Sequence, residues 1–118
     1  MSSCDEQILH VSDTALMAAA CRALEAERPH GLMRDPFAAR LAGERGAAIL
    51  RNLQGDPEIM CFGIGIRSRF LDELVTAAIS SRSIATVVSV GAGLDTRPWR
   101  LDLPAGLRAS LTDLGAGA

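Results

Sequence analysis

Two glycines and an acid frame the stretch of this chain best suited to chemistry. The run Thr86-Val87-Val88-Ser89-Val90 ends at Gly91-Ala92-Gly93, and Asp113 follows twenty residues after the second glycine. Glycine lacks a Cβ, so Gly91 and Gly93 let the backbone turn sharply at the end of a strand and approach a ligand, offering amides where a side chain would clash. Asp113, closing the next apolar run, is placed to accept hydrogen bonds from both hydroxyls of a ribose. Together they point to an adenosine site. Without Asp113, a G-x-G turn is equally explained by backbone geometry alone. Thr96 stands where a dinucleotide fingerprint has its third glycine, which argues against a pyrophosphate on a helix start and therefore against NAD or FAD.

The elements that must hold these residues follow from periodicity and capping. Residues 1–11 are polar and unpatterned and read as a loose tail, with 12–118 as one domain portion. A helix is expected from Ser12-Asp13, a capping serine and a first-turn acid, through "TALMAAACRALEAER", with Leu16, Ala20 and Leu24 on one stripe. Asp35-Pro36 restarts a helix that turns Phe37, Leu41, Ala48 and Ile49 to the core, although Gly43 and Gly46 each cost it about 1 kcal/mol. Asp56-Pro57 opens a third, in which Phe62, Ile66, Phe70 and Leu74 form an apolar stripe. Gly63 and Gly65 predict a break, with firm helix from Arg67 to Ser81. The period then changes. "TVVSV" reads as a buried parallel strand and "RASLTD" as its neighbour, with "GLDTRPWRLDL" between them a loop holding at most a short helix. The fold class is α/β: N-terminal helices followed by the start of a Rossmann-like sheet.

Composition removes several functions. The chain has 118 residues and a formal charge of −2, giving no electrostatic reason for a nucleic-acid or anionic-membrane partner. Apolar runs fall short of the roughly 18 residues of a membrane span, and Asp5 and Glu6 stand where a signal peptide carries positive charge, so a cytoplasmic protein is expected. Cys4, Cys21 and Cys61 are widely spaced and His10 and His30 stand alone, which predicts reduced thiols and neither a disulfide frame nor a metal site.

The segment "VVSVGAGLDTRPWRLDLPAGLR" resembles the first glycine motif of S-adenosylmethionine-dependent methyltransferases of the leucine carboxyl methyltransferase type, especially their bacterial O-methyltransferase branch. "DTALMAAACRALEAERPHGLMRDPFAARLAGERG" and "IGIRSRFLDE" resemble that family's helical N-terminal region, so the likeness runs from Ser12 to Asp113. The resemblance implies S-adenosyl-L-methionine as cofactor. It implies that Arg67 holds the carboxylate of the cofactor's methionine portion, as a guanidinium can with two parallel hydrogen bonds. It places Gly91 and Gly93 beneath the cofactor and Asp113 on its ribose. Asp95 either touches the ligand or caps the following turn. The alternative for Arg67 and Arg69 is a solvated helix face paired with Asp72 or Glu73. Arg97, Trp99 and Arg100 are read as packing and pairing.

The chemistry implied is methyl transfer to an oxygen of a small-molecule acceptor, a carboxylate or a hydroxyl, with no residue nominated as general base. After Asp113-Leu114 the family's usual continuation is replaced by "GAGA", so the chain looks like the amino-terminal part of such an enzyme, ended after the second strand. The alternative is a non-catalytic remnant or small interaction protein whose helices pair with another subunit, as in a homo-oligomer. A nicotinamide-binding half-domain is a third reading, disfavoured by Thr96.

Overall fold

The computed structural model describes residues 11–112, in the order α1 (Val11–Glu27), α2 (Ala38–Arg51), α3 (Pro57–Arg82), β1 (Thr86–Val90), α4 (Arg97–Arg100) and β2 (Arg108–Thr112). The expected α/β plan is present. The first helix runs through Ser12, with Asp13 in its first turn as expected, and the Asp13 carboxylate also accepts a fork of 2.9 and 2.7 Å from Arg45 of α2. The second begins at Ala38, later than the sequence predicts. Asp35 still accepts the Phe37 amide at 3.0 Å, and Gly43 kinks the helix at φ +61°. The third starts as expected, with Asp56 accepting the Glu58 amide at 2.9 Å and Pro57 in the first turn.

Two expectations about α3 are corrected. The helix is continuous from Pro57 to Arg82, with no break at Gly63 or Gly65. A Cβ on Gly65 would stand 2.9 Å from Glu25 Cγ of α1, so the missing side chain is what admits the neighbouring helix. The apolar stripe is also not the buried one: Phe62, Ile66, Phe70 and Leu74 are 46–63% exposed, while Cys61, Gly65, Ser68 and Ile79 are buried. Small side chains at the crossing let α1 and α3 approach closely, and this close contact decides the helix rotation.

The core gathers Met17, Ala20 and Cys21 of α1, Ala42, Ile49 and Leu50 of α2, and Cys61 of α3. Ile49 is buried as expected, whereas Phe37, Leu41 and Leu24 are partly exposed. The buried face of α1 runs Asp13, Met17, Cys21, Glu25, with two acids among its members. Cys21 and Cys61 are buried free thiols; Cys4 lies outside the described residues.

β1 and β2 pair in parallel, Thr86 opposite Arg108 and Val90 opposite Thr112. Val87 and Ser89 are half-buried and share a cavity of about 170 Å³ with Leu71, Val75 and Ile79 of α3. Val88 and Val90 are exposed, which corrects the expectation of a strand buried on both faces. No helix among the described residues is long and apolar enough to cross a membrane.

Candidate functional site

The strand end carries the backbone geometry that glycine permits. Gly91 has φ +64° and Gly93 φ +55°, both left-handed. A Cβ on Gly91 would meet open space, so conformation alone demands glycine there, whereas at Gly93 it would come within 3.2 Å of the Ala15 Cβ. Between them, the Ala92 amide donates to the Thr112 carbonyl at 2.7 Å, extending the β1–β2 ladder into the turn.

Arg67 projects from α3 toward this turn. It lines a cavity of about 160 Å³ together with Ala18 and Arg22 of α1, Ser68, and Ala92 and Asp95 of the loop. Among the described residues Arg67 has no hydrogen-bond or ion-pair partner, while Arg69 two residues on is paired with Glu73 at 3.1 Å. The solvated-face alternative is therefore correct for Arg69. Asp72 is taken by α4: Arg100 grips both its oxygens at 2.7 and 2.9 Å, and Arg97 Nε adds a third contact at 2.8 Å. The pairing foreseen for Arg97 and Arg100 is thus found, but Trp99 is 64% exposed and does not pack as expected.

Asp95 caps the turn that follows it. Its Oδ1 accepts from the Arg97 amide at 3.0 Å and from Arg97 Nη1 at 3.1 Å, with Ser89 Oγ 3.5 Å from Oδ2. Gly93 and Asp95 also border a second, apolar hollow of about 390 Å³, walled by Phe37, Leu41, Trp99 and Leu111. Asp113 lies outside the described residues. Thus Arg67, Ala92 and Asp95 meet at one cavity, and Gly93 borders its neighbour.

A set of polar residues that sequence reading left aside underlies the loop. Asp35 is buried and accepts Arg22 Nε at 3.0 Å and the Thr96 hydroxyl at 2.6 Å. Arg22 donates onward to the Leu94 carbonyl at 2.8 Å, and Arg100 Nε reaches Thr96 Oγ1 at 2.9 Å. Burial opposes the charged Asp35, but hydrogen bonds from Thr96, the Phe37 amide and Arg22 outweigh it and hold the carboxyl below its ordinary value. These partners are 13 and 61 residues from Asp35 in sequence, a separation no local period reports. Burial pushes the Cys21 thiol up to about 12, with Cys61 beside it adding to the effect. No cluster of three or more metal-ligating groups occurs among the described residues.

A parallel strand pair with a left-handed glycine turn at its carboxyl end is an arrangement with which Rossmann-like α/β sheets open. The leucine carboxyl methyltransferase family model matches residues 15–111, and the chain belongs to that family. It is 38% identical over 115 residues to a protein of Streptomyces avermitilis, a match covering 87% of this chain and 38% of the relative. It is also 41% identical over 104 residues to one of Mycobacteroides abscessus, covering 82% of this chain and 33% of the relative. Both are named "putative S-adenosyl-L-methionine-dependent methyltransferase". A relative of that name in Frankia alni is 38% identical over 103 residues, covering 80% of this chain and 36% of its own length. The chain therefore spans little more than a third of the curated relatives it matches.

Proposed function

We propose that the chain binds S-adenosyl-L-methionine, as part of a methyltransferase that transfers the methyl group to a carboxylate or hydroxyl oxygen of a small molecule. The observation that carries this is the Arg67 guanidinium, without a partner among the described residues, at a cavity shared with the glycine loop. Arg67 is exposed, so water satisfies its guanidinium in the free chain, and what sets it apart is its place at this cavity, where a planar carboxylate such as that of methionine can accept two parallel hydrogen bonds from it. Asp95 lines the same cavity; its Oδ1 is committed to Arg97, and Oδ2, with only the Ser89 hydroxyl at 3.5 Å, is the oxygen left to meet the methionine ammonium. At about 160 Å³ the cavity is smaller than a typical small-molecule site of roughly 300 Å³ or more, which suits the amino-acid end of the cofactor and not its adenosine. The donor set fits that end.

Asp95 also speaks against a dinucleotide. Its carboxylate already occupies the first amide of α4, where a pyrophosphate would have to sit, and would repel it. In this reading Gly91 and Gly93 carry the backbone beneath the ligand, and Asp113, next in the chain after Thr112, takes the ribose hydroxyls. The cofactor, when bound, supplies an activated methyl group on sulfur. The residues of this chain anchor and orient it, and positioning of that kind provides much of the rate in group transfer.

Calorimetric titration of the purified chain with S-adenosylhomocysteine tests the proposal. Binding is expected, weakened roughly tenfold or more by Arg67→Ala, since one charge-assisted hydrogen-bond pair is lost. Asp113→Ala should weaken it as well. No heat with the unsubstituted chain would sink the cofactor reading.

A second reading, a non-catalytic interaction protein, is favoured by the exposed Val88 and Val90 together with the apolar stripe of α3. A stable homodimer in small-angle scattering, indifferent to S-adenosylhomocysteine, would support it.

A further inference from the structure

Beneath the glycine loop lies a carboxylate whose two oxygens serve different elements. Oδ1 of Asp35 accepts the Phe37 amide and so belongs to the entry of α2. Oδ2 faces away from α2, accepting Thr96 Oγ1 at 2.6 Å and Arg22 Nε at 3.0 Å, with Arg100 Nε at 3.8 Å. A helix cap explains the first oxygen only. Each partner of the second reaches the segment between β1 and α4. Arg22 holds the Leu94 carbonyl, Thr96 is the residue at which that segment becomes helix, and Arg100 ties the far end of α4 to Asp72 of α3. The Asp35 side chain is fully shielded from solvent, so these interactions do not compete with water.

We infer that Asp35 is a positioning residue for the glycine loop, acting through Thr96 and Arg22 to hold residues 91–96 against the helices so that Ala92 and Asp95 keep their place at the cavity they share with Arg67. The functional half of this inference rests on the cofactor reading above; the loop-holding half stands on the hydrogen bonds alone. Thr96, at the place of the third fingerprint glycine, is an anchor in this view: its hydroxyl donates to Asp35 and accepts from Arg100. Gly91 and Gly93 are conformationally free, so a loop built on them needs an outside anchor to hold one shape, and this network provides it.

Thr96→Val removes the hydroxyl while keeping the side-chain shape and leaving the Asp35 contacts to Phe37 and Arg22. Thr96→Ser restores it, and Asp35→Asn is the second, independent variant should the valine form fail to fold. Amide hydrogen exchange over residues 90–97 should accelerate roughly tenfold in Thr96→Val and Asp35→Asn and return in Thr96→Ser, as loss of one buried hydrogen bond to a charged group implies. Exchange in the middle of α1 and α2 should stay unchanged. The same variants should bind S-adenosylhomocysteine about tenfold more weakly, with recovery in the serine form. Unchanged loop exchange, acceleration spread equally through α1 and α2, or no recovery with serine would overturn the inference, as would unaltered affinity in Thr96→Val. If the unsubstituted chain binds no ligand while loop exchange responds as stated, the cofactor reading fails and the loop anchor stands.

Discussion

At the scale of single residues, the division is between groups that are satisfied and groups that wait. Arg97 and Arg100 are paired with Asp72 in part-buried contacts, and replacing them removes structure; Arg67 has no partner among the described residues, so Arg67→Ala should leave the unfolding free energy within about 0.5 kcal/mol of the parent's. Loss of ligand binding with unchanged stability would mark it as a ligand residue; a clear fall in stability would mark it as structural. Asp35 sets an acid limit. Its folded carboxyl titrates below the ordinary 3.8, so the unfolded chain takes up a proton first as pH falls. The stability it contributes is complete above 3.8 and is lost as pH drops through the lower, folded value. Urea unfolding followed below pH 4 should show this fall, and Thr96→Val should flatten it. Cys21 behaves oppositely: raised from 9.0 to about 12, it favours the folded state fully below 9.0 and progressively less as pH climbs toward 12. Both Cys21 and Cys61 are buried free thiols, so peptide mapping after iodoacetamide at pH 8 should find both unmodified until denaturant is added.

At the scale of elements, the same substitution should have opposite signs one turn apart or less. Gly63 faces open space, and Gly63→Ala should raise stability by about 0.5–1 kcal/mol through helix propensity. Gly65→Ala meets Glu25 Cγ at 2.9 Å and must push α1 and α3 apart, costing about 1–3 kcal/mol. Chemical denaturation of the two variants measures both, and equal effects would contradict the packing of α1 on α3. The sequence made the start of α3 legible, because Asp56-Pro57 is a local signal, and it made β1 legible through its β-branched run. The absence of a break at Gly65 was not legible, because the compensation comes from a residue on another helix. Likewise Asp35 read as a cap, and one of its oxygens is one; the second is committed to Thr96 in a loop 61 residues away.

At the scale of the whole molecule, burial and apolar character part company. Ile49 is 1% exposed and Phe70 63%, so Ile49→Ala should cost about 2–5 kcal/mol while Phe70→Ser stays within about 0.5 kcal/mol in thermal unfolding. A large penalty at Phe70 would show that the stripe is covered in solution. What the sequence by itself determined is the order of elements, the glycine turn at the end of β1, and the family, since all of these are written in neighbouring residues or in words of a few residues. What only the tertiary structure decided is which helix faces are buried, which arginines are spent on carboxylates, and that Arg67 stands at the cavity of the glycine loop. Those outcomes depend on how closely α1 and α3 approach over Gly65 and on which carboxylates the folded chain brings to Arg22, Arg97 and Arg100. Close packing and ion pairing act between residues that the chain separates by tens of positions, so only the assembled fold could assign them.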